Sequence, residues 1–225
     1  PAEPAAASPM DYLNAAREDT LIIDQPYKLE TFDNWNPYTP GNANGWGFSN
    51  LGMDDLMYLN YGDGKYIMWM AETVESNDDA TVWTLTLRKG ITWNDGVPFT
   101  ADDIVYTINL QQKNDKLTNH FYWAEWLDKV EKVEDFTAKY TLKKPNVRFS
   151  AERISGGVGV FPDVFIPKHI WEAVEDPTTF KNYDPAKGLP LGMGPSISTA
   201  RKASCTICCG VPKGPGTILA FAMLL

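Results

Sequence analysis

The strictest alternation of apolar and polar side chains lies in residues 82–88. Trp83, Leu85 and Leu87 fall on one side of this segment, and the intervening positions are polar or β-branched. Side chains of a strand point alternately to opposite faces, and β-branched residues favour that geometry. The pattern therefore predicts a half-buried β-strand, and Asn94-Asp95-Gly96 predicts a turn shortly after it.

A helix is predicted directly after this turn, from Thr100 to about Lys113. The Thr100 hydroxyl and the Asp103 carboxylate have the spacing of a capping box, in which each side chain satisfies a free backbone N–H group. Ile104 and Ile108 recur at helical spacing and define the apolar face.

Weaker patterns predict the remaining elements. They are a buried strand at 20–24, the end of a helix running into a strand at 51–61, a tight turn at 62–64, two antiparallel strands with a bulge within 126–142, a short helix within 147–154, and a helix over 168–174 after Pro167. Helices and strands mix without a regular alternation. This order predicts the α+β class with a mixed sheet.

Residues 25–50 contain repeated prolines and glycines, which predict a long loop. A long ordered loop in a compact domain is usually functional. Aromatic rings can stack on sugar rings, and asparagine side chains can bind hydroxyl groups in a cleft. Because aromatic side chains also fill cores, we expect those of this loop to be shared between core and cleft. The candidate ligand-binding residues are Tyr27, Trp35, Asn36, Asn44, Trp46 and Phe48.

The charge of the chain excludes several classes of partner. The net charge is −9, and the 20 basic residues are dispersed. A nucleic-acid-binding protein has a basic face, and an anionic membrane surface attracts basic segments. We therefore expect no nucleic-acid partner and no membrane contact through the folded domain. No apolar run reaches the roughly 18 residues of a membrane-spanning helix.

The first residues of the chain are dominated by Pro, Ala, Ser and Glu. This composition predicts a flexible tether over residues 1–19, because it cannot bury enough apolar surface to fold. The segment lacks the basic and apolar regions of a signal peptide. We expect a mature exported protein that meets the membrane only through a lost N-terminal anchor.

The residues that could carry catalysis or bind a metal form no complete site. The 2 His are far apart, and all 3 Cys lie within residues 205–209 without a fourth zinc ligand nearby. Adjacent carboxylates at 54–55, 78–79 and 102–103 point to different faces of their elements. We expect these carboxylates to be solvated or, in the last pair, to cap the helix. The prediction is a protein that is not an enzyme and has no cofactor and no metal site.

The segment that begins with the predicted strand resembles a known family signature. The strand ends in Leu87-Arg88-Lys89-Gly90 and leads through Trp93 and the Asp-Gly turn into the capped helix. Over residues 83–106 this order is similar to that of the bacterial extracellular solute-binding proteins, family 5, which bind peptides, nickel and oligosaccharides. Further similar segments lie at 69–74, 145–149, 166–170 and 191–195, so the resemblance extends over about residues 20–195.

The resemblance implies a mixed β-sheet lobe of the periplasmic-binding-protein-like fold (type II, cluster C). The lobe is incomplete here, since members of this family are over twice as long. Residues 20–195 would form the N-terminal part of lobe I with an appended subdomain. Residues 196–225 depart from the family pattern, contain every cysteine and have no acidic residue. We interpret them as a divergent tail without the family's native structure and hypothesise a frameshift near residues 193–196.

The resemblance also implies a function, the substrate-binding component of an ABC importer. A small-molecule ligand would be held between two lobes that close by a hinge motion and then delivered to the ABC permease. The ligand would be an oligosaccharide or oligopeptide, and the aromatic, Asn-rich loop favours the oligosaccharide. The protein is expected to be a monomeric lipoprotein in the periplasm or outside the cell, membrane-anchored at the cell surface.

Two other interpretations stay open. The chain is alternatively a truncated fragment that does not bind ligand, or a secreted interaction module. A carbohydrate-active enzyme ranks third, because the sequence contains no catalytic constellation. We expect weak or absent ligand binding by the 225-residue chain alone, since half of the enclosing surface would be missing.

Overall fold

In the computed structural model, the chain is described over residues 33–40, 54–156 and 164–184. The backbones of four further strands are described at 20–24, 189–190, 205–208 and 218–223.

The strands and helices of these segments are numbered in chain order. The strands are β1 (Thr20–Asp24), β2 (Met57–Asn60), β3 (Lys65–Met68), β4 (Ala71–Ser76), β5 (Val82–Leu87), β6 (Leu127–Glu134), β7 (Thr137–Leu142), β8 (Ser155–Gly156), β9 (Tyr183–Asp184), β10 (Leu189–Pro190), β11 (Cys205–Cys208) and β12 (Ile218–Met223). The helices are α1 (Ala101–Lys113), α2 (His120–Trp126) and α3 (Lys168–Trp171), and a π-helical turn covers Ser150–Ile154.

A four-stranded antiparallel sheet in the order β4-β5-β7-β6 forms the centre of the described region. Trp83 pairs with Tyr140, and Leu85 pairs with Ala138, across β5 and β7. All four side chains are buried, together with Leu87, so the predicted faces of the strand are confirmed. The β6–β7 hairpin also confirms the predicted bulge, because its register shifts twice along the pair.

Helix α1 begins and ends at the predicted residues. The Thr100 N–H donates to the Asp103 carboxylate at 2.9 Å, and the Thr100 hydroxyl accepts from the Asp102 N–H at 3.3 Å. These bonds satisfy N–H groups that have no partner within the helix. Ile104 and Ile108 are fully buried in the same core as the inner face of the sheet.

Aromatic rings fill the other end of this core around Phe149. The Phe149 ring centroid lies 5.7 Å from that of Trp83, 5.2 Å from that of Tyr140 and 6.1 Å from that of Trp123. Such tilted and edge-to-face pairs each add about 0.5–1.5 kcal/mol beyond the burial of their area. The cluster ties β5, β7 and α2 to the segment that precedes the π-helical turn.

A second sheet in the order β3-β2-β8 makes the fold mixed. Strands β2 and β3 form an antiparallel hairpin, whereas β2 pairs with β8 in parallel, with Met57 opposite Ser155. The hairpin turns at the predicted Gly62-Asp63-Gly64, where Gly64 has a φ of +70° that suits glycine. The α+β class and the mixed sheet are therefore confirmed.

The structure differs from the sequence-based prediction in four local features. Helix α2 was not predicted, because its aromatic sequence has low helix propensity, and it forms around the buried Trp123. The helix expected within 147–154 is the short π-helical turn, and α3 ends at Trp171 rather than at residue 174. Residues 54–56, expected to end a helix, are not helical.

The tail beyond residue 195 contributes two strands. Strand β12 pairs antiparallel with β1 and with β11, so the strand predicted at 20–24 is confirmed. The hydrogen bonds between paired strands are made by backbone N–H and C=O groups. This pairing therefore does not test whether the amino-acid sequence of the tail is native. The frameshift hypothesis for residues 196–225 and the other domain boundaries stay predictions.

None of the helices in the described segments is both long and apolar enough to cross a lipid bilayer.

Candidate functional site

The described part of the predicted ligand loop, residues 33–40, is anchored to the segment 177–182. The Asn36 side-chain amide donates to the carbonyl oxygens of Pro177 and Phe180, both at 2.7 Å. The Trp35 N–H donates to the Lys181 carbonyl, also at 2.7 Å. The Asn36 side chain and the Trp35 backbone therefore both attach the loop to the segment 177–182.

Trp35 and Asn36 are both buried, so their side chains serve packing and loop attachment in this conformation. The neighbouring Tyr38 is also buried, and its hydroxyl donates to the Val164 carbonyl. Tyr38 packs in a small second core with Trp171, whose ring centroid lies 5.9 Å away. The loop base is thus part of the folded domain.

The other four candidate residues lie outside the described residues. They are Tyr27, Asn44, Trp46 and Phe48. The structure therefore places two consecutive members of the set, Trp35 and Asn36, at the buried base of the loop, and the ligand-binding role of the whole set stays a prediction.

A buried carboxylate joins the start of α1 to α3. Asp103 accepts from the Thr100 N–H and from the Lys168 N–H, each at 2.9 Å. Burial raises the pKa of Asp103, although both hydrogen bonds oppose that change. About one helical turn away, the Thr107 hydroxyl accepts from the Ile166 N–H at 3.1 Å. These contacts fix the segment that meets the base of the ligand loop.

The adjacent carboxylates of residues 54 and 55 are not simply solvated, which corrects the expectation from their sequence. Both are only partly exposed. Burial, followed by the negative charge of Asp54, raises the pKa of Asp55 to about 6. The Asp55 N–H donates to the Tyr58 hydroxyl at 3.1 Å, and the Tyr58 ring meets Trp69, which is 41% exposed. The Asp55 backbone is therefore held next to Tyr58, which in turn contacts the accessible Trp69 ring.

Arg153 is a buried cation that the sequence analysis did not select. It is 6% exposed, and its guanidinium carbon lies 3.6 Å from the centroid of the Tyr122 ring. Within the described part of the chain, its buried Nε and Nη1 atoms have no hydrogen-bond partner. The only signal in the sequence is its position four residues after Phe149, which places it on the same helical face as a core residue.

No group of three or more His, Cys, Asp or Glu side chains gathers in the described segments in a way that could hold a metal ion.

Comparison with known proteins agrees with this arrangement of strand, turn and capped helix. Residues 65–195, more than half of the chain, match the family model "Bacterial extracellular solute-binding proteins, family 5 Middle". A probable ABC transporter-binding protein of Deinococcus radiodurans is 31% identical over 149 residues, which are 64% of this chain and 24% of that protein. The dipeptide-binding protein of Escherichia coli is 29% identical over 114 residues, 43% of this chain and 21% of the relative. The chain thus spans about a quarter of the length of these curated relatives.

Solved structures show the same fold. The periplasmic oligopeptide-binding protein of an oligopeptide ABC transporter from Thermotoga maritima is 33% identical, with a TM-score of 0.57. The match covers 68% of this chain and 27% of that one, and a second structure of the same protein has mannohexaose bound. The α+β region is therefore a partial lobe of the type II periplasmic-binding-protein-like fold. On the family match and this shared fold, the chain belongs to the bacterial extracellular solute-binding proteins, family 5.

Proposed function

We propose that this chain is part of the substrate-binding component of an ABC importer, which captures an oligosaccharide or oligopeptide outside the cytoplasmic membrane. The observation that carries this proposal is the family match over residues 65–195, in a lobe that shares its fold with a binding protein at 33% identity. Such a protein holds its ligand between two lobes and closes on it by a hinge motion.

The ligand class is supported from two directions. The relatives include proteins named for dipeptide and oligopeptide binding. The Thermotoga maritima protein, although named for oligopeptides, has been crystallised with mannohexaose. The aromatic and Asn-rich loop at 25–50 suits sugar rings and their hydroxyl groups. Both ligand classes therefore belong in the first binding experiments.

We propose that the loop forms the ligand site through the candidate set Tyr27, Trp35, Asn36, Asn44, Trp46 and Phe48, with only part of the set in contact with the ligand. The hydrogen bonds of Asn36 to Pro177 and Phe180 support a division of roles within this set. Trp35 and Asn36 fix the base of the loop, and the other four side chains meet the ligand. A fixed base lowers the conformational entropy that the loop loses when ligand binds.

The proposed protein works by binding and release, without a chemical change in its ligand. We propose that it is exported, acts in the periplasm or outside the cell, and is held at the membrane by a lipid anchor that precedes the tether of residues 1–19. Its partners would be the small-molecule ligand and the permease, and it would act as a monomer. The acidic net charge of −9 supports solubility outside the cell.

The experiment is calorimetric titration of the complete product of the gene locus with mannohexaose and with trialanine. At least one ligand is expected to bind with a Kd of about 10 μM or tighter. Absence of binding by both ligands, or turnover of a chromogenic glycoside, would contradict the proposal. Sequencing the locus in all frames beyond residue 193 tests the frameshift in parallel, and an uninterrupted frame ending at Leu225 would remove that hypothesis.

The 225-residue chain provides the matched comparison. Ligand pockets bury about 70–90% of a small ligand, and this chain spans about a quarter of its relatives. We therefore expect the 225-residue chain to bind either ligand at least about 100-fold more weakly than the complete protein. Equal affinity in the two proteins would show that the described lobe encloses the ligand by itself.

A further inference from the structure

Half of the large apolar side chains that are exposed in the described segments lie on or beside the β2–β3 hairpin. They are Tyr61, Tyr66, Ile67 and Trp69. Single exposed apolar residues are common on protein surfaces, but a group of them on one element marks an interaction surface. The hairpin is therefore a candidate interface.

The hairpin has one face in the core and one face outside it. Met57 pairs with Met68, and both side chains pack in or against the main core. Tyr58 pairs with Ile67, one position further along each strand, so these two side chains project from the opposite face. The Trp69 ring contacts the Tyr58 ring, with the centroids 6.0 Å apart, and extends this face. We call Tyr58, Ile67 and Trp69 the outer hairpin face.

The outer hairpin face has no apolar layer on it among the described residues. Neither of the two described cores includes any of its three side chains, and Ile67 is 49% exposed. Strand β2 also pairs in parallel with β8. Antiparallel sheets often leave one face in water, whereas sheets with parallel strands are normally covered on both faces. The described residues therefore cover only one of the two faces that such a sheet buries.

The backbone beneath the outer hairpin face is held in place. The Trp69 N–H donates to the Leu56 carbonyl at 3.0 Å. The Arg88 side chain donates from Nε to the Trp69 carbonyl at 2.7 Å and from Nη2 to the Met68 carbonyl at 3.2 Å. A surface whose backbone is already fixed loses little conformational entropy when another layer packs on it. The face is therefore preformed.

The local charge and the length of the chain select the partner. Burial raises the pKa of the Tyr58 hydroxyl, and the nearby charges of Asp55 and Asp54 raise it further. Carboxylates in this position oppose contact with an anionic membrane surface. The chain covers only 27% of the Thermotoga maritima protein and 24% of the Deinococcus radiodurans protein, so most of such a protein lies outside it. These observations favour a layer from the same protein.

We propose that the outer hairpin face is covered, in the complete protein, by polypeptide that follows residue 195 in the native reading frame. This inference rests on the complete protein of the proposed function and adds a packing surface that is separate from the ligand loop. The covering segment presents apolar side chains to Ile67 and to the Trp69 ring. Removal of this apolar surface from water joins the downstream polypeptide to the lobe described here.

Hydroxyl-radical footprinting with mass spectrometry tests the inference on the wild-type proteins, without ligand. In the 225-residue chain, Trp69 is expected to be oxidised readily, as its 41% exposure requires. In the complete product of the locus, its oxidation should fall to the level of Trp93, which is 1% exposed. Phe121, which is 79% exposed on α2, is the internal control and should stay reactive in both proteins.

A substitution gives a second, independent measurement. Ile67→Glu is expected to lower the midpoint of thermal unfolding of the complete protein by at least about 4 °C, because it places a carboxylate under the covering layer. The same change should shift the midpoint of the 225-residue chain by less than about 1 °C, because residue 67 faces solvent there. Val133→Glu is the matched control, since Val133 is also an exposed branched residue on a strand but lies outside this face.

Protection of Trp69 in the ligand-free complete protein supports the inference even if neither mannohexaose nor trialanine binds, so the two proposals can fail separately. Equal oxidation of Trp69 in the two proteins overturns the inference. Protection that requires ligand would place the face in the ligand site, and protection in a dimeric 225-residue chain would make it a self-association surface. Either result overturns the inference, as does a native reading frame that ends at Leu225.

Discussion

The backbone N–H of Lys168 donates a 2.9 Å hydrogen bond to the buried carboxylate of Asp103, across 65 residues of sequence. The same carboxylate caps α1, so one side chain both starts a helix and attaches the segment that leads into α3. That segment carries Trp171, which packs on the base of the predicted ligand loop. Asp103 therefore links the N-terminus of α1 to the segment that packs on the base of the candidate site.

Replacing Asp103 with Asn is expected to lower the free energy of unfolding by about 1–3 kcal/mol. One carboxylate oxygen becomes an NH₂ group that cannot accept from Thr100 or Lys168, and a buried N–H group is left unpaired. Urea unfolding at pH 7 measures the loss. Asp102→Asn is the control, because its ion pair with Lys132 at 2.7 Å is partly exposed and should contribute less than about 1 kcal/mol. Equal effects of the two changes would argue against the bridging role.

Asp55 predicts a pH dependence of stability. Its pKa is about 6 in the folded protein and 3.8 in the unfolded reference, so the folded state holds the proton more strongly. Its contribution to stability is then fully present below pH 3.8 and is lost as the pH rises to about 6. Asp55→Asn should therefore stabilise the protein by about 1 kcal/mol at pH 7.5 relative to its effect at pH 4, after allowance for solvent screening.

Urea unfolding at the two pH values tests this effect, with Asp78→Asn as the matched change at an exposed carboxylate. The same stabilisation by Asp55→Asn at both pH values would show that folding does not raise the pKa of Asp55.

The contact of Asn36 with the segment 177–182 predicts a local effect on the loop base. In Asn36→Asp, the side chain loses both donors and places a negative charge against the carbonyl oxygens of Pro177 and Phe180. We expect a loss of about 2 kcal/mol or more. Hydrogen exchange of the Trp35 amide, which donates to Lys181, should become at least about tenfold faster, since tenfold corresponds to about 1.4 kcal/mol.

Asn34→Asp is the control for this change, because its side chain keeps the oxygen that accepts from the Asn36 N–H. It loses only a 3.4 Å contact with Thr39. Equal acceleration of Trp35 exchange in both variants would contradict the assigned role of Asn36.

Phe149 is expected to be the most sensitive position of the aromatic core. Phe149→Ala removes a fully buried ring in contact with Trp83, Tyr140 and Trp123, and should cost about 3–5 kcal/mol. Tryptophan fluorescence in a urea titration reports the transition directly. Phe121→Ala removes a ring that is 79% exposed and should change stability by less than about 0.5 kcal/mol. A small effect at Phe149 would mean that the core can close over the cavity.

Short sequence patterns predicted many of the strands, helices and turns around the candidate site. The alternation at 82–88, the capping box at Thr100 and the glycines of the turn at 62–64 each act through neighbours only a few residues away. Their outcome depends little on the rest of the chain. Helix α2 escaped prediction because its stability comes from burial of Trp123 in the core rather than from propensity.

The sequence by itself therefore determined the strand, the turn, the capped helix and the family to which they belong. Only the tertiary structure decided that Asn36 anchors the loop, that Asp55 is partly buried and that Arg153 is a buried cation, with two nitrogens that find no acceptor among the described residues. The physical reason is that a charge or amide in a sequence has a fixed chemistry but an undefined environment. Partners for these groups come from segments far along the chain, and only the packed fold shows which hydrogen bonds are made and which stay unmet.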